Sequence, residues 1–371
     1  MKKINYLLSF TLLCCLVIFS CKKTEEPEVE PETPPEGIAI RATDVAAGGL
    51  ISMTIRPDGK LKNLGFIGSG NNLGPIIQVD GGDVFCIALR SDGTVWAWGR
   101  NTYGQLGDST NTDKSIPVQM LGLGNVVAIS AGLRHSLALK SDGTVWACGQ
   151  NDGAQLGDST QTNRSVPVQV KQLANVIAIS AGVNHNIALK SDGTIWYWGG
   201  YYGTSNPAEL VPQFQIFGTP GEITAISAGG SYSLFLKSDS TVWGWGHNTS
   251  GQLGTPAGGV GGVSQVPGIS NVIAIAAGNS HSIALKNDST VWTWGSNIHG
   301  ELGDGTKTSR HTPTQINALT GIKEIDGGML YHSIAVDNDQ KVWTWGWNTG
   351  GQLGISHTTI TERLTPQIVV E

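Results

Sequence analysis

Six residues, "TVWAWG" at 94–99, return as "TVWACG" (144–149), "TIWYWG" (194–199), "TVWGWG" (241–246), "TVWTWG" (290–295) and "KVWTWG" (341–346). The leading Trp falls at 96, 146, 196, 243, 292 and 343, with spacings of 50, 50, 47, 49 and 51 residues. A unit of this length that reads as short strands cannot bury its own faces, so it must stack on copies of itself in a propeller or solenoid. Written once, the unit is residues 167–199, with strands expected at 167–170, 175–180, 185–190 and 194–198. The last two strands are joined by "SDG" three times, then "SDS", "NDS" and "NDQ", which are tight hairpin turns.

Residues 45–65 align with 179–199 as a seventh, worn copy, in which Lys62 and Leu64 replace the two Trp. The chain ends in a further strand, 365–371. The expectation is an all-β, seven-bladed propeller of four-stranded blades, its ring closed by pairing of the C-terminal strand with the N-terminal blade. Closure removes exposed sheet edges. Within each "VWxW" strand the two Trp point to one face and the small residues to the other. Eleven of the twelve Trp therefore read as core between blades, and Trp347 stands outside the cadence.

The first residues belong to a different regime. Lys2 and Lys3 precede an apolar run too short to span a bilayer, and Ser20 stands directly before Cys21. The reading is a lipoprotein signal over 1–20, with Cys21 as the lipidated residue. Residues 21–37 carry six Glu and four Pro and form an acidic tether. The acidic run reads either as a surface-export signal or as a plain spacer. Residues 38–371 form the single propeller. The expected location is the outer membrane, as a lipid-anchored monomer with no other membrane contact, facing the periplasm or the cell surface.

Without residues 1–36 the chain keeps 19 basic and 23 acidic residues, which argues against a nucleic-acid partner. Cys86 and Cys148 fall on blade faces too far apart to bridge and read as two free thiols.

Up-and-down strands place the "GLRH" turn and the "RNTYGQ" loop, read as the blade-to-blade connection, at one end. The uniform "SDG" turns lie at the other. The variable end offers Arg100, Tyr103, Arg134, Asn184, Tyr201, Tyr202, His247, Asn279, His299, Tyr331 and Trp347. Aromatic and Arg side chains are the usual anchors of protein interfaces, so this end is the expected recognition face. His135, His185, His281 and His332 repeat once per blade. That spreads them round the ring, unlike a metal cluster, so no metal site is assigned. "GDSTNTD" (107–113) lacks the Glu and central Gly of a Ca²⁺ loop. No nucleophile elbow or phosphate loop is present, no catalytic residue is assigned and no cofactor is expected.

"AGLRHSLALKSDGTVWACGQNDGAQLGDST" and its siblings resemble the regulator of chromosome condensation repeat. The "AG-x-x-H-S" segments at 131–136 and 277–282 and the "G-x-N-x-x-G-Q-L-G" segments at 246–254 and 346–354 carry the likeness. The resemblance implies a seven-bladed propeller. It does not carry over the nucleotide-exchange activity of the founding member, whose partner a secreted lipoprotein would not meet. Leu133 stands where the family's light-sensing segments have Trp. Bacterial members of the family resemble binding platforms, and one secreted member binds its partner with aromatic residues from loops on one propeller face. The functional expectation is a lipid-anchored extracytoplasmic module that recognises an unidentified protein partner, with a glycan second. The alternative is a cell-surface hydrolase or lyase with its active site on a propeller face.

Overall fold

The computed structural model describes residues 44–65, 73–200, 210–215, 222–355, 357 and 359–370. The signal, Cys21 and the acidic tether lie outside these residues. So do Tyr201 and Tyr202. The described chain forms seven antiparallel sheets in sequence order, and among the described residues there is no helix. The blades span 44–65, 76–119, 126–169, 176–215, 223–265, 272–315 and 322–368.

Blade three shows the plan. Its inner strand is Val126–Ala131, followed by His135–Lys140, Val145–Gly149 and the outer strand Arg164–Gln169, hydrogen-bonded in that order. Alternation puts Leu137, Leu139, Val145 and Ala147 on one face. They pack against Ala188 and Trp198 of blade four. The opposite face presents Ala138 and Cys148 to Phe85, Ile87, Leu89, Val95 and Ala97 of blade two. Small residues of one blade meet large residues of the next, as the alternation in the cadence implies, except between blades four and five, where Tyr197, Phe235 and Trp245 pack together.

The two Trp of each cadence are not equivalent. The second (Trp98, Trp198, Trp294 and Trp345) is fully buried. Each such burial is worth roughly 4–6 kcal/mol as an upper limit. The first is half-buried at the "SDG" end. There Lys140, Lys190, Lys237 and Lys286 lie over Trp146, Trp196, Trp243 and Trp292. In five blades the indole N–H of the first Trp donates to the turn Thr, as Trp243 does to Thr241 at 3.0 Å, and in blade seven Trp343 donates to Asp337 at 2.9 Å. Trp245, the second Trp of blade five, is also only half-buried and meets Tyr197 edge-on at 5.1 Å. The expectation that eleven Trp are core therefore holds for the second position more than for the first.

Two expectations about strand partnership are corrected. The segment read as the first strand of each unit is the outer strand of the preceding blade: Arg164–Gln169 pairs with Val145–Gly149. The loop 150–163 thus lies within blade three, and the blade-to-blade link is 170–175. Buried Asn151 causes this return. Its side-chain amide donates to Asp158 Oδ1 (3.1 Å) and to the carbonyls of Thr160 and Thr162, while its oxygen accepts Leu156 N–H (2.9 Å). That folds the loop back onto its own sheet.

For the same reason the C-terminal strand, Glu362–Ile368, pairs with Val342–Trp347 and not with the N-terminal blade. Among the described residues the N-terminal blade has three strands. The ring closes through packing of blade one on blade seven, with Val45, Ala47 and Leu64 against Ile334, Val336, Val342 and Val369. Hydrogen bonds reinforce this seam. Ala47 N–H donates to Asp326 Oδ2 (2.8 Å), Met329 N–H to the Gly48 carbonyl (3.0 Å), and His332 Nε2 lies 3.0 Å from Ser52 Oγ.

The inner strands line a central channel of about 830 Å³. A belt of hydrogen bonds runs round it. Ser130, Ser180 and Ser227 accept the N–H of Ala181, Ala228 and Ala277 in the following blade. Ala46 and Ala276 at this position cannot accept. In the blade after each of them the position carries an Asp, with two oxygens to offer. Asp80 takes both Gly81 N–H (2.7 Å) and Ala131 N–H (2.8 Å), and Asp326 takes Gly327 N–H (2.8 Å) as well as Ala47 N–H. An acid in one blade thus satisfies a backbone donor that the alanine before it leaves without an acceptor.

Candidate functional site

The end opposite the "SDG" turns gathers the short inner turns and the long loops that join third to outer strands. In five blades the long loop is fixed by an Asn (Asn101, Asn151, Asn248, Asn297, Asn348), whose side-chain oxygen accepts the N–H five residues on. With this internal frame, the side chains just before and after each Asn stand on the rim. The loops of blades two, five and six also pack against the outer strand of the next blade, where Gly104, Gly251 and Gly300 meet Ser165, His311 and Leu364. Gly104, at φ 83°, lies so close to Ser165 that a Cβ would come within 2.5 Å of its Cα. Side chains from neighbouring blades are therefore brought into contact.

Two such contacts form among the sequence-predicted residues. At the blade two–three junction, Arg134 stands over the Tyr103 ring (5.4 Å to the centroid) and donates to its hydroxyl at 3.2 Å. Arg100 is held apart from this pair by Asp83 at 2.8 Å. At the blade six–seven junction, His299 stacks on Trp347 (5.3 Å, 25°). Tyr331 meets His299 at 5.3 Å and Trp347 edge-on at 6.4 Å. Tyr331 holds a left-handed backbone, φ 55°, that aims its ring into this group. All three rings are half-buried, and Ile298 beside them is 52% exposed. Glu362 underlies the trio, within 3.7 Å of His299 Nδ1 and paired with Lys307.

The remaining expected residues are not drawn into either group. Asn184 and His247 occupy separate blades, half-buried. Asn279 is tied into the ring by its backbone, donating to the Gly328 carbonyl (3.2 Å) and accepting from Gly230 N–H (3.0 Å). The sequence did not single out Glu362 and Lys307, because the pair joins two blades across 55 residues.

The four histidines are interior fasteners. His135, His185, His281 and His332 are buried, and each Nε2 reaches a side chain of the next blade: Asn186 Oδ1 (2.6 Å), Ser233 Oγ, Ser333 Oγ and Ser52 Oγ (each 3.0 Å). Ser333 gives its own proton to the Glu301 carbonyl (3.0 Å), so His281 must donate from Nε2. Burial pushes these rings down to about 3 to 4, and all four are neutral at pH 7. Asp108 of the "GDSTNTD" segment accepts from Asn101 and Thr110 and pairs with Lys114. Cys86 and Cys148 are free and buried, and Cys86 lies opposite Trp98 in its hairpin. Among the described residues no group of three or more His, Cys, Asp or Glu has the geometry to hold a metal ion.

Together, this is a closed propeller built from one repeated unit, with an Asn-framed loop at the rim of five of its blades. The family model described as the regulator of chromosome condensation (RCC1) repeat matches residues 92–139, 142–189, 239–285, 288–336 and 339–371, and a second model of the same description matches five further overlapping stretches from 76 to 352. The chain belongs to this family. It is similar to the mitochondrial RCC1 domain-containing protein RUG3 of Arabidopsis thaliana, at 28% identity over 106 residues. The match spans about a quarter (24%) of that relative's length and 24% of this chain. Among solved structures it resembles human WBSCR16 (TM-score 0.70, 23% identity, covering 78% of this chain and 85% of that one). It also resembles Prp20p of Saccharomyces cerevisiae bound to Kap60 (TM-score 0.73, 20% identity, covering 95% and 91%).

Proposed function

We propose that this propeller is a protein-binding module whose recognition face is the Asn-framed rim, tethered outside the cytoplasm by a lipid on Cys21. The trio His299, Tyr331 and Trp347 carries the reading. These rings come from two blades and touch one another, and neither Tyr331 nor Trp347 belongs to the buried clusters on the two faces of blade seven. Clustered aromatics of this kind are the typical energetic centre of protein interfaces. The family supports the coarser statement, since yeast Prp20p binds Gsp1p and histones and has been seen with Kap60. The reading assigns the chain no catalytic step, no cofactor and a monomeric state, and it places the protein in the outer membrane through its lipid.

Partner capture from the extracytoplasmic fraction by the soluble 37–371 fragment, followed by crosslinking, tests the rim. Changing Tyr331 and Trp347 together to Ala should abolish capture while shifting Tm by no more than a few degrees. Equal capture by the double variant would refute the assignment. The anchor is tested separately by metabolic labelling with a fatty acid, which Cys21→Ala should eliminate.

A further inference from the structure

One basic residue of the rim differs from its counterparts in the other blades. In blades two, three and six, the first basic residue of the outer strand is paired with an Asp in the loop before it. Lys114 meets Asp108 at 3.2 Å, Arg164 meets Asp158 at 2.7 Å, and Arg310 meets Asp304 at 2.8 Å. In both arginine pairs, Nε also donates to the same carboxylate oxygen, at 2.8 and 2.9 Å. Blade five has neither partner, with Thr255 in the place of the Asp and Gly261, opposite Gly246, in the place of the base. Blade seven keeps only the base. Arg363 stands opposite Gly346 as Arg164 stands opposite Gly149 and Arg310 opposite Gly295, but the place of the Asp is held by Ile355.

The consequence is visible at the guanidinium. Nη1 of Arg363 is buried and has no hydrogen-bond partner among the described residues. Burial lowers its pKa, and no carboxylate among the described residues offsets this. A half-buried guanidinium without a counter-charge is costly, and its fork is shaped for a carboxylate. Blades three and six show that this loop frame accepts one. Arg363 also follows Glu362, whose backbone pairs with Trp347 of the aromatic trio, so it borders the proposed interface.

We infer that Arg363 receives a carboxylate from outside the chain, supplied by an acidic side chain of the partner that occupies the aromatic rim. This deepens the reading of the rim as a protein-binding face and rests on it for the source of the carboxylate. The chemistry of the site does not depend on that source.

The test uses the mature protein and two probes at constant ionic strength: sodium acetate, and a ten-residue peptide rich in Asp. Both should raise Tm saturably in the wild type. Arg363→Gln should remove the response to both. Ile355→Asp supplies the internal partner of the other blades, so it should raise the resting Tm and weaken peptide binding by about tenfold or more, the loss expected for a charge-assisted contact. Ile355→Asn, which changes the packing without adding charge, should keep the wild-type response.

A response to acetate as large as that to peptide would assign the site to small carboxylic acids and overturn the partner side chain as source. Equal responses in wild type, Arg363→Gln and Ile355→Asp would overturn the site itself, as would no response in the wild type. The outcomes separate from those of the rim experiment. A wild type with no Arg363-dependent response but with Trp347-dependent capture sinks this inference alone, and an Arg363-dependent response without Trp347-dependent capture sinks the rim reading alone.

Discussion

Gln340 sits in the "NDQ" turn with φ 68°, where Gly93, Gly143 and Gly193 occupy the same turn at φ 78–80°. A side chain in this region costs about 1 kcal/mol relative to Gly. Gln340→Gly should therefore raise stability by roughly 0.5–1 kcal/mol, read as a higher urea midpoint with an unchanged m-value. An unchanged or lower midpoint would contradict it. The turn motif was legible residue by residue, because its Asp, left-handed position and Thr are adjacent in sequence. Compensation between blades was not. Cys148 replaces the second Trp of blade three and offers its thiol to the Gln105 carbonyl at 3.5 Å, the position to which Trp198 N–H donates in the next blade, at Gln155. The space is taken by Met120, where the equivalent residues are Val170, Val266, Ile316 and Val369. Cys148→Trp alone should overpack by about 1–3 kcal/mol, and Met120→Val alone should cost roughly 1 kcal/mol. Together they should recover at least about 1 kcal/mol of the summed losses in a double-mutant cycle. Strict additivity would show that the two sites do not share this space.

The repeated element is a four-stranded sheet whose last hairpin is closed by a buried Asn, and that Asn decides where one blade ends. The four strands of the written-out unit were readable from their alternation and their bounding Gly, Asn, Asp and Pro. Which neighbour the "PVQV" strand joins was not, because a strand between two loops carries no mark of its partner. The answer lay in Asn151 and its counterparts, whose amide counts as one polar residue among many until its four contacts are seen. The same gap explains why the C-terminal strand was assigned to the wrong blade and why the seven-fold count was unaffected. Asn297 tests the role of the frame. It is fully buried, donates to Asp304 Oδ1 and the Thr306 and Thr308 carbonyls, and accepts Leu302 N–H. Asn297→Ala leaves several buried groups unmatched and should cost about 2–3 kcal/mol. It should also weaken partner capture, since His299 rides on this loop. Full stability with lost capture would mean that the Asn acts on the rim and not on the sheet.

At the scale of the whole ring, the seam between first and last blades concentrates the channel's acids. Asp44, Asp80, Glu324 and Asp326 come from blades one, two and seven, and none was singled out in the sequence, where they lie up to 282 residues apart. Burial raises all four: Asp44 and Asp80 to about 6, Asp326 to about 7, and Glu324 well above the usual carboxylate range. Asp44 and Glu324 share a hydrogen bond, while Lys323 pulls weakly the other way. Because the folded state holds these protons more tightly than the unfolded chain, their contribution is complete below about pH 4 and is lost as pH rises through 6 to 7 and beyond. The four interior histidines act in the opposite sense. Their folded pKa values are lowered, so their contribution is complete above about 6.5 and is lost as pH falls toward 3 to 4. Between pH 4 and 6 the two sets oppose each other, and above 6.5 the seam acids act alone. Stability should therefore decline from pH 6.5 to 8.5. Glu324 occupies the position of Gln78, whose amide bridges to blade three by donating to the Ile129 carbonyl (3.0 Å) and accepting its N–H (2.9 Å). Glu324→Gln removes one ionisation and offers blade one the same two-way bridge. It should add about 1–2 kcal/mol at pH 8.5, little at pH 5, and flatten the decline. Parallel Tm–pH curves for wild type and Glu324→Gln would show that the ring is not held shut by protonated acids at its seam.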